Sequence, residues 1–110
     1  MYKTANPYRT EGRGQTVVVL NLTEYWLTIL MTLSPVALRT LLILCAKLTP
    51  DGSAMATLVE IRKYNARSIC NISLGLKELL DRDLIRRKAL SSYWISNQIA
   101  YNLNLLPGNA

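Results

Sequence analysis

The sequence predicts a mostly helical α+β domain, and this prediction rests on the spacing of its hydrophobic residues. A β-branched run over residues 16–22 predicts a short strand. Apolar residues at helical spacing follow over residues 24–33, 35–48 and 69–81. Residues 84–90, which are basic, and residues 93–99 then flank a pair of serines, which predicts a β-hairpin. The chain has 110 residues, half of them hydrophobic, so one folded domain with a modest core is expected.

The two ends differ in composition from this domain. Residues 1–15 contain Lys3, Arg9 and Arg13 with two glycines and one proline, and few apolar side chains. They are interpreted as a flexible basic arm, which either reaches phosphates or a minor groove or is an untethered terminus. The domain itself is placed at residues 16–104, and residues 105–110 are interpreted as a loose tail.

Two consecutive helices are predicted before the middle of the chain. Thr23 is the expected N-cap of the first, with Glu24 in its first turn, and Ser34-Pro35 begins the second. The second helix is apolar nearly all round, with Leu42 among the residues expected to be buried, so we place it at the centre of the fold. Ser34-Pro35 interrupts this apolar stretch and Arg39 lies inside it, which favours two packed helices over a membrane span.

The first helix also suggests a partner. Its apolar surface is more than a small domain easily buries, so the sequence predicts a homodimer through this N-terminal helix. The alternative is that the helix simply covers the core.

A helix-turn-helix is predicted next. Thr57 is expected to cap a short helix with Leu58, Val59 and Ile61 facing inward, and Ser68 is expected to cap a second, amphipathic helix. At 100° per residue, one stripe of that second helix collects Ile69, Ile72, Leu76, Leu79 and Leu80. Its opposite face collects Cys70, Asn71, Leu74, Lys77, Glu78 and Asp81.

Positive charge is concentrated in the same region. The net charge of the chain is +6, and eight cations against three anions between Arg62 and Lys88 contribute a surplus of five. Such a surplus attracts polyanions, nucleic acid first and an anionic membrane second. The alternative is a solvated basic face that maintains solubility.

Composition argues against catalysis. The chain has no histidine, and Cys45 and Cys70 have neither zinc nor disulfide spacing. No phosphate-binding glycine loop, nucleophile motif or paired carboxylates are found. We therefore expect no enzyme activity, no cofactor and no metal, and two isolated cysteines suit the reducing cytoplasm.

One stretch resembles a known superfamily. The residues "TLVEIRKYNARSICNISLGLKELLDRDLIRRKALSSYWISN", from 57 to 97, resemble the winged helix-turn-helix proteins that include MarR-type regulators and RepL-like plasmid replication initiators. The resemblance lies in the capped helix with its Leu-Lys-Glu-Leu core and in the Leu-Ile that leads into the wing. "YWISNQIAYN" resembles the ending of the initiators, with Ser96-Asn97 near their Asn-Pro and no proline at that place.

The resemblance implies a winged helix-turn-helix with an N-terminal strand and helix extension, binding double-stranded DNA. The helix after Ser68 would enter the major groove, with Asn71 on an adenine, Leu74 on a thymine methyl group and Lys77 on phosphate or guanine. Leu74 is equally well interpreted as part of a protein interface. The other expected DNA contacts are Arg62, Lys63, Arg67, Ser68, Arg86, Arg87 and Lys88.

Two functions remain open at this point. The chain is interpreted as a DNA-binding transcriptional regulator or a plasmid or phage replication-initiation factor. The alternative is a winged-helix module that binds another protein and no DNA, which Leu74 and Cys70 favour and the basic hairpin disfavours.

Overall fold

The computed structural model describes residues 18–65 and 68–102. The predicted arm (1–15), the first two residues of the predicted strand, Arg67 and the predicted tail (105–110) lie outside the described residues. The elements, in chain order, are β1 (Val18–Leu20), α1 (Glu24–Met31), α2 (Pro35–Ala46), β2 (Ser53–Met55), α3 (Leu58–Tyr64), α4 (Ile69–Asp81), β3 (Ile85–Ala89), β4 (Ser92–Ile95) and β5 (Ala100–Asn102).

The described chain is an α+β fold whose four helices take about half of its residues, fewer than the mostly helical prediction. Strands β2, β4 and β3 form one antiparallel sheet in that order, and β1 pairs with β5 in another. None of the described helices is both long enough and apolar enough to cross a lipid bilayer.

Strand β2 was not predicted from the sequence. Its three residues, Ser53–Met55, pair with Trp94, Tyr93 and Ser92 of β4. A strand this short shows no measurable alternation, and the preceding residues 49–53 have turn composition. The missed strand matters because it joins the hairpin β3–β4 to the chain between α2 and α3.

All four predicted helix caps are confirmed. The side chains of Thr23, Ser34, Thr57 and Ser68 each accept a hydrogen bond from the third backbone N–H of the helix that follows. Thr57 and Glu60 also form a reciprocal capping box. These local interactions determine where each helix begins, independently of the core.

The core lies between α2, α4 and the inner face of the β2–β4–β3 sheet. Helices α2 and α4 pack most extensively, and their backbones are close at Gly75, where a β-carbon would lie 3.3 Å from the backbone nitrogen of Ala37. Two burial predictions are wrong: Leu42 of α2 is 45% exposed and Val59 of α3 is 65% exposed. Leu42 borders a groove between α1 and α2, which leaves it partly open to solvent.

Candidate nucleic-acid interface

Helix α4 presents one polar face to solvent. Its N-cap Ser68 accepts a hydrogen bond through Oγ from the backbone N–H of Asn71 at 3.1 Å. Asn71, Leu74 and Lys77 are exposed on this helix, Leu74 by 58%. The periodicity of the sequence therefore placed these three residues correctly on the outer side of α4.

Glu78 departs from the predicted arrangement. The prediction placed it on the exposed face, but its carboxylate accepts hydrogen bonds from the backbone N–H and the hydroxyl of Ser34, at 2.9 and 2.8 Å. Ser34 is the N-cap of α2, so a negative charge lies where the helix dipole favours it. Glu78 thus joins α4 to the start of α2 and takes one anion away from the exposed face.

A groove of about 330 Å³ runs between α4 and the hairpin β3–β4. Helix α4 contributes Ser73, Lys77 and two leucines of its apolar stripe. The hairpin contributes Arg87, Tyr93 and the turn between its strands. We call this the α4–hairpin groove. Its lining residues are Leu58, Ser73, Leu76, Lys77, Leu80, Arg87, Leu90, Ser91 and Tyr93.

Arg87 is the hairpin cation that lines this groove. It pairs in register with Tyr93, which is buried, and its guanidinium carbon lies 5.2 Å from the centre of the Tyr93 ring. This cation–π contact holds the side chain on the helical side of the sheet. Among the described residues no carboxylate pairs with Arg87, so its charge is available to a ligand in the groove.

Lys77 is the second cation in the groove, and its ion pair is weak. Its Nζ lies 2.7 Å from Asp81 Oδ2, one helical turn away, but both side chains are more than 60% exposed. Exposed pairs at this spacing contribute only about 0.3–0.5 kcal/mol. A phosphate oxygen can therefore replace Asp81 as the partner of Lys77 at little cost.

Arg86 and Lys88 lie on the other face of the hairpin, with Trp94. Arg86 pairs in register with Trp94, and the Nζ of Lys88 lies 4.5 Å from the centre of the Trp94 ring. Both cations are held by carboxylates: Arg86 donates to Asp83 at 2.8 and 3.1 Å, and Lys88 donates to Asp51 at 2.9 Å. Of the three hairpin cations predicted to contact DNA, Arg87 therefore lies on the side of the α4–hairpin groove, and alternation along the strand places Arg86 and Lys88 on the other face.

Asp51 and Asp83, the acids on the outer face of the hairpin, have lowered pKa values because of their hydrogen bonds and ion pairs. The hydrogen bonds from Arg86 and then its charge lower the pKa of Asp83, and the hydrogen bonds to Asp83 and then the charge of Asp83 raise the pKa of Arg86. The pKa of Asp51 is held well below its usual range, first by the hydroxyl of Thr49 and then by Ser53 and Lys88. Both carboxylates stay ionised at neutral pH and keep their cations occupied.

The remaining predicted contacts are distributed around this surface. Arg62 and Lys63 are exposed in the last turn of α3, and Arg67 lies outside the described residues. Tyr93 is buried against the body of the protein, whereas Trp94 is 40% exposed on the outer face. Within the described ranges no group of His, Cys, Asp or Glu side chains is arranged to hold a metal ion.

Sequence reasoning missed several features of this surface. The sequence did not indicate that Ser73, Leu90 and Tyr93 would share a groove with Lys77, because their proximity depends on how the hairpin docks on α4. One signal was present: Asp83 precedes Arg86 by three residues, close enough for a local ion pair.

Comparisons of the chain with protein-family models, with curated proteins and with solved structures found no match.

Proposed function

We propose that this chain is a double-stranded DNA-binding protein of the winged helix-turn-helix type, acting as a transcriptional regulator or as a plasmid or phage replication-initiation factor. The order α2, β2, α3, α4, β3, β4 supports the proposal, since a winged helix has a strand between its first two helices and a hairpin after its third. The observation that carries it is that Arg87 and the exposed side of α4 border the same groove.

The dimensions and chemistry of α4 suit a major groove. Its 13 residues span about 20 Å, and a helix of about 10–12 Å diameter fits a groove about 12 Å wide. In the proposed complex Asn71 contacts an adenine edge and Leu74 a thymine methyl group. Lys77 and Arg87 contact phosphates of the DNA strand at the edge of the major groove. These contacts add affinity but do not distinguish one DNA sequence from another.

The proposal distinguishes the hairpin cations. Arg87 is assigned to the DNA contact because it lines the α4–hairpin groove, whereas Arg86 and Lys88 lie on the opposite face of the same strand and are assigned to the structure of the hairpin. Arg62, Lys63, Arg67 and Ser68 remain proposed phosphate contacts at the α3–α4 turn.

The test compares two neighbouring arginines. Fluorescence anisotropy with a random-sequence duplex, at about 50 mM and about 200 mM salt, measures affinity and its salt dependence. We expect Arg87→Ala to weaken binding to all sequences and to lower the log–log salt slope by about 0.9, the value for one phosphate contact. Arg86→Ala is the matched control, exposed on the opposite face of the same strand, and should leave the slope unchanged.

Two results would contradict this proposal. If the parent chain does not bind the duplex even at about 50 mM salt, DNA binding is wrong. If Arg86→Ala and Arg87→Ala weaken binding equally, the assignment of the α4–hairpin groove is wrong.

Asn71→Ala should change the preference at one or two base pairs while the salt slope stays the same.

A second measurement locates the complex. Cys70 is exposed beside Asn71, whereas Cys45 is buried, so alkylation of the folded protein reports on Cys70. We expect duplex DNA to slow alkylation of Cys70 by maleimide. An unchanged rate with DNA bound would mean that α4 does not face the duplex.

One observation favours the alternative, a protein-binding module. Leu74 on α4 and Leu90 at the hairpin turn are 58% and 88% exposed, which gives this surface an apolar component. If the anisotropy experiment shows no DNA binding at low salt, this surface is better explained as a docking site for another protein.

A further inference from the structure

A second groove, on a different side of the molecule, is lined by apolar residues alone. It lies between α1, α2 and the end of β1 and has a volume of about 170 Å³. Leu30, Leu41 and Cys45 form its buried floor. We call it the α1–α2 groove. In contrast to the α4–hairpin groove, it contains no hydroxyl, amide or charged side chain among its described lining residues.

The walls of the α1–α2 groove are large apolar side chains that are partly exposed to solvent. Their exposed fractions are Leu20 38%, Leu22 56%, Leu27 44%, Met31 64% and Leu42 45%. These contiguous side chains leave on the order of 400 Å² of apolar surface in water, and patches of that size are often interaction sites. A stable dimer interface buries about 800 Å² per partner, so this patch is large enough to form its apolar centre.

The rim of the groove carries one charge of each sign. Glu24 lies one helical turn before Leu27 on α1, and Arg39 lies three residues before Leu42 on α2. Both are exposed, and neither forms an ion pair with another described residue. A surface with an apolar centre and both signs on its rim can be complementary to a copy of itself, since in a two-fold dimer a contact between Glu24 of one copy and Arg39 of the other occurs twice.

We propose that a second copy of this chain covers the α1–α2 groove in a two-fold dimer. The apolar walls of the two copies bury each other, and Glu24 of each copy faces Arg39 of the other. The proposal does not depend on DNA binding, since none of these residues lines the α4–hairpin groove. It develops the expectation of a homodimer through the N-terminal helix by assigning half of the interface to α2 and β1.

The first test measures self-association by sedimentation velocity over a range of protein concentrations. We expect the parent chain to form a reversible dimer, and Met31→Glu with Leu42→Glu to raise its Kd at least about tenfold. Both residues are exposed in the monomer, so the double variant should fold, which circular dichroism checks. Val59→Glu is the matched control: an equally exposed apolar residue, on α3, whose replacement should leave the Kd unchanged.

The second test reverses the charges on the rim. Glu24→Arg alone and Arg39→Glu alone place like charges opposite each other, so each should weaken the dimer. The two together should restore it, because the pair is re-formed with its signs exchanged. Recovery in the double variant requires that these two positions meet across the interface.

Three outcomes would overturn the proposal. A chain that stays monomeric at every concentration has no such dimer. A dimer that the Met31 and Leu42 replacements leave intact uses another surface. A double charge reversal that dissociates as readily as the single ones excludes the two-fold arrangement described here.

Discussion

Asp51 and Asp83 show how single side chains determine which cations of the hairpin already have an anionic partner. Alternation along a strand separates Arg87 from Arg86 and Lys88, and the structure adds that the latter two have carboxylate partners on the outer face of the sheet. Asp51 also accepts hydrogen bonds from Thr49 and from the backbone and hydroxyl of Ser53. The turn before β2 is thereby joined to β3 through Lys88.

The lowered pKa of Asp51 predicts how stability depends on pH. A carboxyl group whose folded pKa lies below its unfolded value stabilises the fold fully above that unfolded value, near 3.9. The contribution is lost as the pH falls from there through the folded pKa. We therefore expect Asp51→Asn to be less stable than the parent at pH 7, and the difference to shrink below about pH 4.

Urea unfolding of both proteins at several pH values measures this difference. Asp81→Asn is the control, because Asp81 has only the exposed partner Lys77 and should change stability much less. A parent-to-variant difference that stays constant from pH 7 down to the acid limit would contradict the role given to the Asp51 carboxylate.

At the scale of secondary-structure elements, the closest packing is the crossing of α2 and α4. Gly75 lies where α4 meets the backbone of Val36 and Ala37 on α2, with distances from a β-carbon of 3.3 to 3.4 Å. Backbone atoms cannot move aside as the end of a flexible side chain can, so a larger residue must shift a whole helix. The crossing also sets the position of the exposed face of α4 and of the α4–hairpin groove.

Replacement of Gly75 by valine should therefore destabilise the protein. We expect Gly75→Val to reduce the free energy of unfolding by about 1–3 kcal/mol, the usual cost of overfilling a packed contact. Ser73→Val on the same helix is exposed and carries the same β-branched helix penalty, so its effect should stay within about 0.5 kcal/mol. If the two variants unfold at the same urea concentration, the crossing of α2 and α4 tolerates the added side chain at Gly75.

At the scale of the whole molecule, strand pairing connects distant parts of the chain. β1 pairs with β5, and β2, which follows α2, pairs with β4 of the hairpin. The buried residues of α2, α4 and both sheets form one continuous cluster. We expect the described region to unfold as one cooperative unit, since no element has a separate core.

The two cysteines report on this cooperativity. Burial raises the pKa of the Cys45 thiol to about 11 and screens it from reagents, whereas Cys70 is exposed. In native buffer we expect a maleimide reagent to modify Cys70 rapidly and Cys45 only through unfolding. Mass spectrometry at increasing urea concentration should show Cys45 modification rising together with the loss of helical circular dichroism. Early modification of Cys45, before that loss, would indicate that part of the core opens separately.

Predictions from the sequence succeeded where the interactions are local. Thr57 and Ser68 begin their helices because a hydroxyl oxygen accepts from a backbone N–H three residues ahead, and this is readable from adjacent residues. The inner stripe of α4 followed from the helical period in the same way. Val59 and Leu42 were predicted to be buried because both are apolar, but how exposed each is depends on which elements pack around its helix, and the local sequence does not show this.

The sequence by itself determined where the helices begin, which side of α4 is polar and that the hairpin is basic. Only the tertiary structure decided that Arg87 joins Lys77 in one groove and that Arg86 and Lys88 are paired with acids. It also decided that Glu78 accepts hydrogen bonds from Ser34, the N-cap of α2. Helical and strand periods act over a few residues, so they are written in neighbouring letters. Proximity between α4, the hairpin and the turn before β2 depends on how the elements pack around a shared core, and no local pattern encodes it.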